Sequence, residues 1–370
     1  VAAFIKALSG ALVAAFGTAM LPLRERETQR IPSLGCAHLA ADGDGLCITV
    51  TTFDATITTR LEAEAEGAVA VPLERLVSLV RNFPADVEIT ITADNNNNTA
   101  TVKSGGSKFH LPVFPIADML QSLVLGEETG CVELEAKIAR DLFFRPAFAA
   151  STDGSRAYLA GVFLHNVGDN LVAVATDVHR LCRVTTPVAT ALSTDRSLII
   201  ENEMVKTINR LLGAASGNVT LRRSDRLFSV GGNGFAIVTK RIDATYPGYE
   251  NLLSAETPNV VTTSRARLRK SIARFSAVAD PQIKTHVVRL RWNADGLHLS
   301  APDGSADCLA ADVEGEAETA VSVRYLTDLV GAPRGDSVRL GAGGPGSLIL
   351  VTDPDDESFT AAQMPMRWPS

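Results

Sequence analysis

Residues 68–83, AVAVPLERLVSLVRNF, run from a short apolar alternation through a proline into an amphipathic helix, and the same order returns twice further along the chain. SLIIENEMVKTINRLL at 197–212 and TAVSVRYLTDLVGA at 319–332 are the second and third copies. The spacing of roughly 120–130 residues is too long for a solenoid repeat and right for tandem domains. Each copy continues into segments that alternate with period two, the pattern of half-buried strands: VEITIT and TVKSGGSKFHLPVF, then NVTLRR and GFAIVTKRI, then SVRLGA, SLILVT and FTAAQMPMR.

Upstream of each helix lies a second repeated block, expected to open with a helix followed by two strands. The blocks are CAHLAADGDGLCITVTTFDATITTRLEAE, GVFLHNVGDNLVAVATDVHRLCRVTTPV and HVVRLRWNADGLHLSAPDGSADCLAADV, with hairpin turns expected at DGDG, VGDN and NADG. The expectation is α+β: three tandem domains, 1–125, 126–253 and 254–370, each with about two helices packed on antiparallel sheets of eight strands.

With 370 residues, 46% hydrophobic and 21% charged, the chain is neither disordered, collagenous nor a coiled coil. Its five cysteines are odd in number and lack C-x-x-C spacing, which argues against a disulfide framework and a zinc site and for reduced, buried thiols. The apolar run from Ala7 to Met20 follows a lone Lys6 and superficially resembles a signal peptide; Ile5, Leu8, Leu12 and Phe16 at helical spacing favour a helix packed on the core. No stretch approaches the ~20 apolar residues of a bilayer span.

The net charge of -7 hides its distribution. Six helices are predicted, at 1–16, 72–83, 136–150, 201–213, 264–279 and 322–332; together they carry +9, leaving -16 elsewhere. In the fifth, Leu268, Ile272 and Phe275 form the apolar stripe and Arg267, Lys270 and Arg274 lie away from it; in the second, Leu73, Leu76, Val77 and Val80 oppose Arg75, Ser78 and Arg81. Basic helices without a helix-turn-helix or zinc finger suit phosphate contact without base reading. Pro146 is expected to kink or end the third helix.

Asp177 and His179 share a strand face, yet no nucleophile or metal partner stands at a telling spacing, so catalysis is not expected. Asp42 to Gly45 begins like a calcium loop, but its twelfth position is Phe53 rather than Glu. The glycines from Gly341 to Gly346 lack the Lys and Ser/Thr of a P-loop, and Asn95 to Asn98 reads as a polar turn.

Four short motifs, ATDVHRL at 175–181, YPGYENLL at 246–253, MPMR at 364–367 and RAYLAG at 156–161, added to the repeats and basic helices, resemble the bacterial DNA polymerase III beta subunits, the sliding-clamp family, over nearly the whole chain. The resemblance implies a cytoplasmic, non-enzymatic processivity factor without cofactor or metal. It implies a head-to-tail homodimer whose six domains ring double-stranded DNA, with no membrane partner. Implied DNA-facing residues are Arg75, Arg81, Arg140, Arg156, Tyr158, Lys206, Arg210, Arg267, Lys270 and Arg274. An implied groove takes short motifs of the DNA polymerase III alpha subunit, the clamp loader and other clamp-binding-motif proteins. Its residues are Leu159, Thr176, His179, Arg180, Leu181, Pro247, Leu252, Met364, Pro365 and Met366, the two methionines alternating onto one strand face. At the dimer joint Phe109 and Leu111 are expected to meet Ala277 and Val278, smaller than the family's usual aliphatics and so giving a weaker dimer.

Departures from the family pattern are Val178 where ATDGHR has Gly, Glu203 where a basic residue is common, the segment 20–35 with Arg24, Arg26 and Arg30, and a tail of Trp368, Pro369 and Ser370. A clamp-derived interaction scaffold that no longer loads onto DNA is the competing reading. Loading onto nicked circular DNA separates the two.

Overall fold

The computed structural model describes residues 3–94, 98–188, 192–193, 195–279 and 286–368. Among them are helices α1 (Ser9–Ala19), α2 (Glu25–Arg30), α3 (Leu73–Val80), α4 (Ala136–Phe144), α5 (Asn202–Ala214), α6 (Glu250–Leu253), α7 (Arg265–Val278) and α8 (Val323–Gly331). The chain divides into two compact units, Val1–Arg140 with Glu203–Arg241, and Asp141–Asn202 with Ile242–Ser370.

In the first unit an antiparallel sheet of twelve strands starts at the edge strand Ser107–Pro112 and ends at Gly130–Glu135. The strands Ala55–Glu62 of the first repeat and Phe235–Lys240 of the second pair directly, with Ile57 opposite Ile237, so two repeats share one sheet. α1 and α3 pack on this sheet and on each other. Leu12 and Phe16 from α1 and Leu73, Leu76, Val77 and Val80 from α3 are buried with Ile5, Leu39, Leu46, Ile48 and Val102. The i, i+3, i+4, i+7 spacing in α3 turns its four apolar residues inward and leaves Arg75, Ser78 and Arg81 exposed, as expected.

The second unit contains a nine-stranded sheet in which Arg180–Thr186 of the second repeat pairs with Asp356–Gln363 of the third, Leu181 opposite Ala362. A four-stranded sheet, Ala306–Leu309, Gly296–Ser300, Val287–Asn293 and Ala317–Ser322, completes the third repeat, and α7 packs against α8. Ser264 and Ser322 cap these helices, their side chains accepting from Arg267 N and Tyr325 N. The hairpins at 42–45 and 167–170 are two-residue turns with Gly43 and Gly168 at positive φ.

Several expectations are corrected. Each repeat opens with a strand rather than a helix: Ala3–Leu8, Gly130–Glu135 and Asn259–Ser264. Ile5 and Leu8 therefore do not belong to the first helix, and Leu8 is 53% exposed. The repeated blocks carry three or more strands in place of two. α4 stops at Phe144, because proline lacks the amide and disfavours helix in the residue before it; Pro146 thus ends the helix. With observed bounds α7 keeps +5, α4 and α5 carry +1 each and α1, α3 and α8 none, since Lys6 lies on a strand and Arg81 and Arg145 lie past helix ends. The basic charge is concentrated in α7 instead of being spread over the repeats. Only Cys36 and Cys182 are buried; Cys131 and Cys308 are exposed. Val1 and Ala2 of the expected first helix, Asn95, Asn96 and Asn97 of the expected polar turn, the side chain of Arg26, and Pro369 and Ser370 lie outside the described residues.

Candidate functional site

The motif ATDVHRL ends a strand, Asn170–Thr176, turns, and begins the next at Arg180. The turn is built from its own side chains. Asp177 Oδ1 accepts from the amides of His179 and Arg180, both at 3.0 Å, while Thr176 Oγ1 accepts from Val178 N at 3.1 Å and donates to the Arg180 carbonyl at 2.7 Å. Asp177 Oδ2 accepts from Arg180 Nε at 3.1 Å, so both carboxylate oxygens are occupied. The Asp177 and His179 pair is a turn, not an acid–base couple.

Val178 sits at φ 79°, a conformation that a β-branched residue adopts only under strain, and it is 52% exposed. This accounts for the glycine usual at that position. Arg180 is buried: its guanidinium pairs with Asp177 and Asp328 and lies 4.5 Å from the Tyr325 ring centre and 5.3 Å from that of Phe148. It therefore fixes the turn rather than offering a free cation.

Thr176, Val178, His179, Arg180, Leu181, Leu252, Leu348, Ala362 and Met364 line a cleft whose free volume is only about 10 Å³, room for about one water. Beneath it Leu159 and Leu181 are buried with Phe163, Tyr246 and Tyr249, and Leu252 packs on that cluster. Gly161 closes the RAYLAG motif because the strand it opens pairs with Ile199–Glu201 so closely that a Cβ would collide with the carbonyl oxygen of Ile200. Of the motif residues implied for the groove, Thr176, His179, Arg180, Leu181, Leu252 and Met364 meet at the cleft; Leu159 underlies it. Pro247, Pro365 and Met366 do not line it.

The methionines correct the strand argument: the last strand ends at Gln363, and 364–368 leave it as an irregular segment. Met364 N bonds to His179 O at 2.8 Å and Met366 N to Ala320 O at 2.7 Å, so the backbone ties the segment to different elements at alternate residues. Trp368 continues it, its ring 4.0 Å from the Arg289 guanidinium. Leu348 and Ala362 were missed as lining residues; their alternating strands, SLILVT and FTAAQ, signal burial but not which cleft they border.

On α7, Leu268, Ser271, Ile272 and Phe275 are buried, and Arg267, Arg269, Lys270 and Arg274 are exposed. Arg274 pairs with Asp307, whose carboxyl is held below its usual range first by the Ser271 hydroxyl at 2.6 Å; burial opposes, and Arg274 adds to the depression. Arg156, half-exposed, lies 3.6 Å from Asp153, and Tyr158 is exposed beside it. In the other unit Arg75, Arg81, Arg140 and Arg210 are exposed, and Lys206 Nζ pairs with Glu203 at 2.6 Å, so that acidic departure cancels a neighbouring cation. α2 and the turn Pro32–Gly35 form the 20–35 segment, which borders a cavity shared with Arg75.

Phe109 is exposed on the edge strand, edge-on to Phe83 at 6.1 Å, and Leu111 is 9% exposed. Ala277 and Val278 are exposed in the last turn of α7. Among the described residues no cluster of three or more His, Cys, Asp or Glu is suited to a metal, and no helix is long and apolar enough to cross a membrane.

Family comparisons agree along the length of the chain. Models of the DNA polymerase III beta subunit match residues 9–121 (N-terminal domain), 133–248 (central domain) and 250–367 (C-terminal domain). The beta sliding clamp of Caulobacter vibrioides is 26% identical, covering 96% of this chain and 98% of that one, and that of Pseudomonas putida 27%, covering 92% and 93%. The solved DNA polymerase III subunit beta of Pseudomonas aeruginosa matches at TM-score 0.89 and 25% identity over 98% of this chain and 100% of that one. A griselimycin-bound sliding clamp from the same organism gives TM-score 0.91 at 25% identity over 99% and 100%. With all three domain models matched in order, this chain belongs to the bacterial DNA polymerase III beta subunit family, the beta sliding clamps.

Proposed function

We propose that the chain is a sliding clamp and processivity factor that encircles duplex DNA without reading sequence and tethers the replicative polymerase. Two copies join head to tail, the edge strand carrying Phe109 and Leu111 meeting Ala277 and Val278 of the second copy. Ala277 and Val278 lie on a helix, so the contact proposed there is apolar side-chain packing against the exposed Phe109 rather than strand pairing. The three clamp domains are taken as 1–125, 126–253 and 254–370. The exposed basic face of α7 best supports the DNA reading: long, solvated cations without base-reading geometry suit phosphates, and a ring that holds DNA topologically needs only weak contacts. With Arg75, Arg81, Arg140, Arg156, Tyr158, Lys206 and Arg210 it forms the proposed DNA-facing set.

The cleft below Val178 takes short motifs of the DNA polymerase III alpha subunit, the clamp loader and other partners in turn. Leucines and a flexible methionine give it an adaptable wall; Pro247, Pro365 and Met366, outside that lining, are assigned to contacts with the part of the peptide that extends beyond the cleft. The protein acts in the cytoplasm as a scaffold, and no catalysis is assigned to it.

The test is ATP-dependent loading onto nicked circular DNA by a cognate loader. Retention on the circle and release on linearisation are expected. Failure to load leaves the interaction-scaffold reading, and sedimentation of a monomer at micromolar concentration overturns the closed dimer.

A further inference from the structure

We infer that Arg196 is a positioning residue for the peptide cleft: it fixes the Tyr246–Leu253 segment that supplies one wall, and so sets the affinity for the bound motif. The inference rests on the cleft reading above. Arg196 is remote in sequence from every motif that marks the family, yet its guanidinium spends all three nitrogens on that one segment. Nε donates to Tyr246 O at 3.0 Å, Nη2 to Pro247 O at 2.5 Å and Nη1 to Glu250 Oε1 at 2.8 Å. The backbone closes the connection, Tyr246 N donating to Arg196 O at 2.8 Å.

Tyr246 and Tyr249 anchor the segment in the buried cluster, but it has little regular structure of its own. α6 has only four residues, too few to hold itself, and Leu252, which borders the cleft, lies inside it. Two further contacts lock the underside. The Arg196 guanidinium lies 5.6 Å from the Phe163 ring centre and 5.8 Å from that of Tyr249, whose hydroxyl shares a 2.9 Å hydrogen bond with His165 Nε2. Glu250 in turn accepts from Tyr249 N at 2.9 Å through its other oxygen. A cleft with free volume for about one water must open around a peptide, and the wall that stays in place defines where the peptide's apolar anchors seat. A planar fork serves three acceptors at once; an ammonium on a flexible stem does not.

The experiment compares the parent with Arg196→Ala and Arg196→Lys. The probe is a fluorescein-labelled hexapeptide with Gln at its start and Leu-Phe at its end, followed by anisotropy, with amide hydrogen exchange measured on the free proteins. The Ala variant is expected to bind roughly tenfold more weakly, the scale of losing charge-assisted hydrogen bonds, and to exchange faster at 246–253 while the strand Asn170–Thr176 stays protected. Lys is expected to recover only a minor part of the affinity. Equal affinity of parent and Ala variant, unchanged exchange at 246–253, or full rescue by Lys each overturns the role of Arg196 and leaves the cleft reading standing. A parent that binds no peptide overturns both.

Discussion

Arg145 donates through Nη1 to Asp356 Oδ2 at 2.6 Å and is only 4% exposed, so a cation just past α4 is neutralised by a carboxylate more than two hundred residues away. The guanidinium rests 4.7 Å from the Phe359 ring centre, and its carbonyl accepts from the buried Cys182 thiol at 3.6 Å. Burial works to raise the Asp356 pKa, but hydrogen bonds from Ser358 and Arg145 prevail and hold the carboxyl below its usual range. The pair ties the second repeat to the third within one unit.

Arg145→Ala is therefore expected to destabilise that unit by about 3 kcal/mol, because the carboxylate stays behind without its counter-charge. Arg145→Met combined with Asp356→Asn should recover most of the loss. Urea midpoints decide it: a fall worth less than about 1 kcal/mol for the single variant would show the pair to be expendable.

Val178→Gly tests the strained turn. Relief of the left-handed conformation is worth roughly 1–2 kcal/mol, and a side chain already 52% exposed gives up little burial, so the variant should be about 1 kcal/mol more stable. It should also bind the peptide more tightly, since Val178 borders a cleft that is nearly closed. Lower stability with unchanged affinity would show that the valine is seated without cost and clear of the peptide path.

The repeats and their helices were legible because the Leu73, Leu76, Val77 and Val80 spacing fits only an inward helix face, and its counterparts return in order. The first strand was not. Ala3, Ile5 and Ala7 alternate as buried strand residues, while Ile5, Leu8, Leu12 and Phe16 fit a helix equally well, and periodicity alone does not separate the two over so short a run. The cleft was partly legible: the motif residues near Thr176 and Leu252 meet as the family resemblance implies, but pairing across repeats decided the rest. Nothing local to Arg180 announces Asp328, and nothing near Leu348 announces the His179 turn.

The basic face of α7 divides into free and occupied cations, which sharpens the DNA prediction. Arg274 already has Asp307 as its partner, whereas Arg267 and Lys270 project from the exposed face. Arg267→Glu with Lys270→Glu should abolish retention on nicked circles almost as fully as the triple variant that adds Arg274→Glu, with dimerisation intact. If each neutralises one phosphate, replacing both with alanine lowers the slope of log K against log salt by about 2. A slope and retention time equal to the parent's would place those side chains away from DNA.

His165 should make the cleft's foundation sensitive to acid. Its ring is buried, stacked 4.4 Å from Phe163 and hydrogen-bonded to Tyr249. Burial first, then the positive Arg196, lower its pKa to about 4, with Glu250 opposing. A base whose folded pKa lies below its unfolded value of about 6.5 binds its proton preferentially when unfolded. Its stabilisation is thus complete above pH 6.5 and is lost as pH falls from there toward 4, by at most about 3 kcal/mol. Glu250 adds a smaller loss of the same sign: its folded pKa is depressed, burial being outweighed by hydrogen bonds from Arg196 and nearby amides, so its contribution also disappears on acidification. His165→Gln keeps an amide to meet the Tyr249 hydroxyl but cannot titrate in this range. Its urea midpoint should consequently fall less steeply than the parent's between pH 7 and pH 4.5, and Arg196→Ala, which removes the repelling cation, should shallow the parent's slope in the same direction. Parallel profiles for the parent and His165→Gln would mean that His165 takes up its proton equally in the folded and unfolded chains.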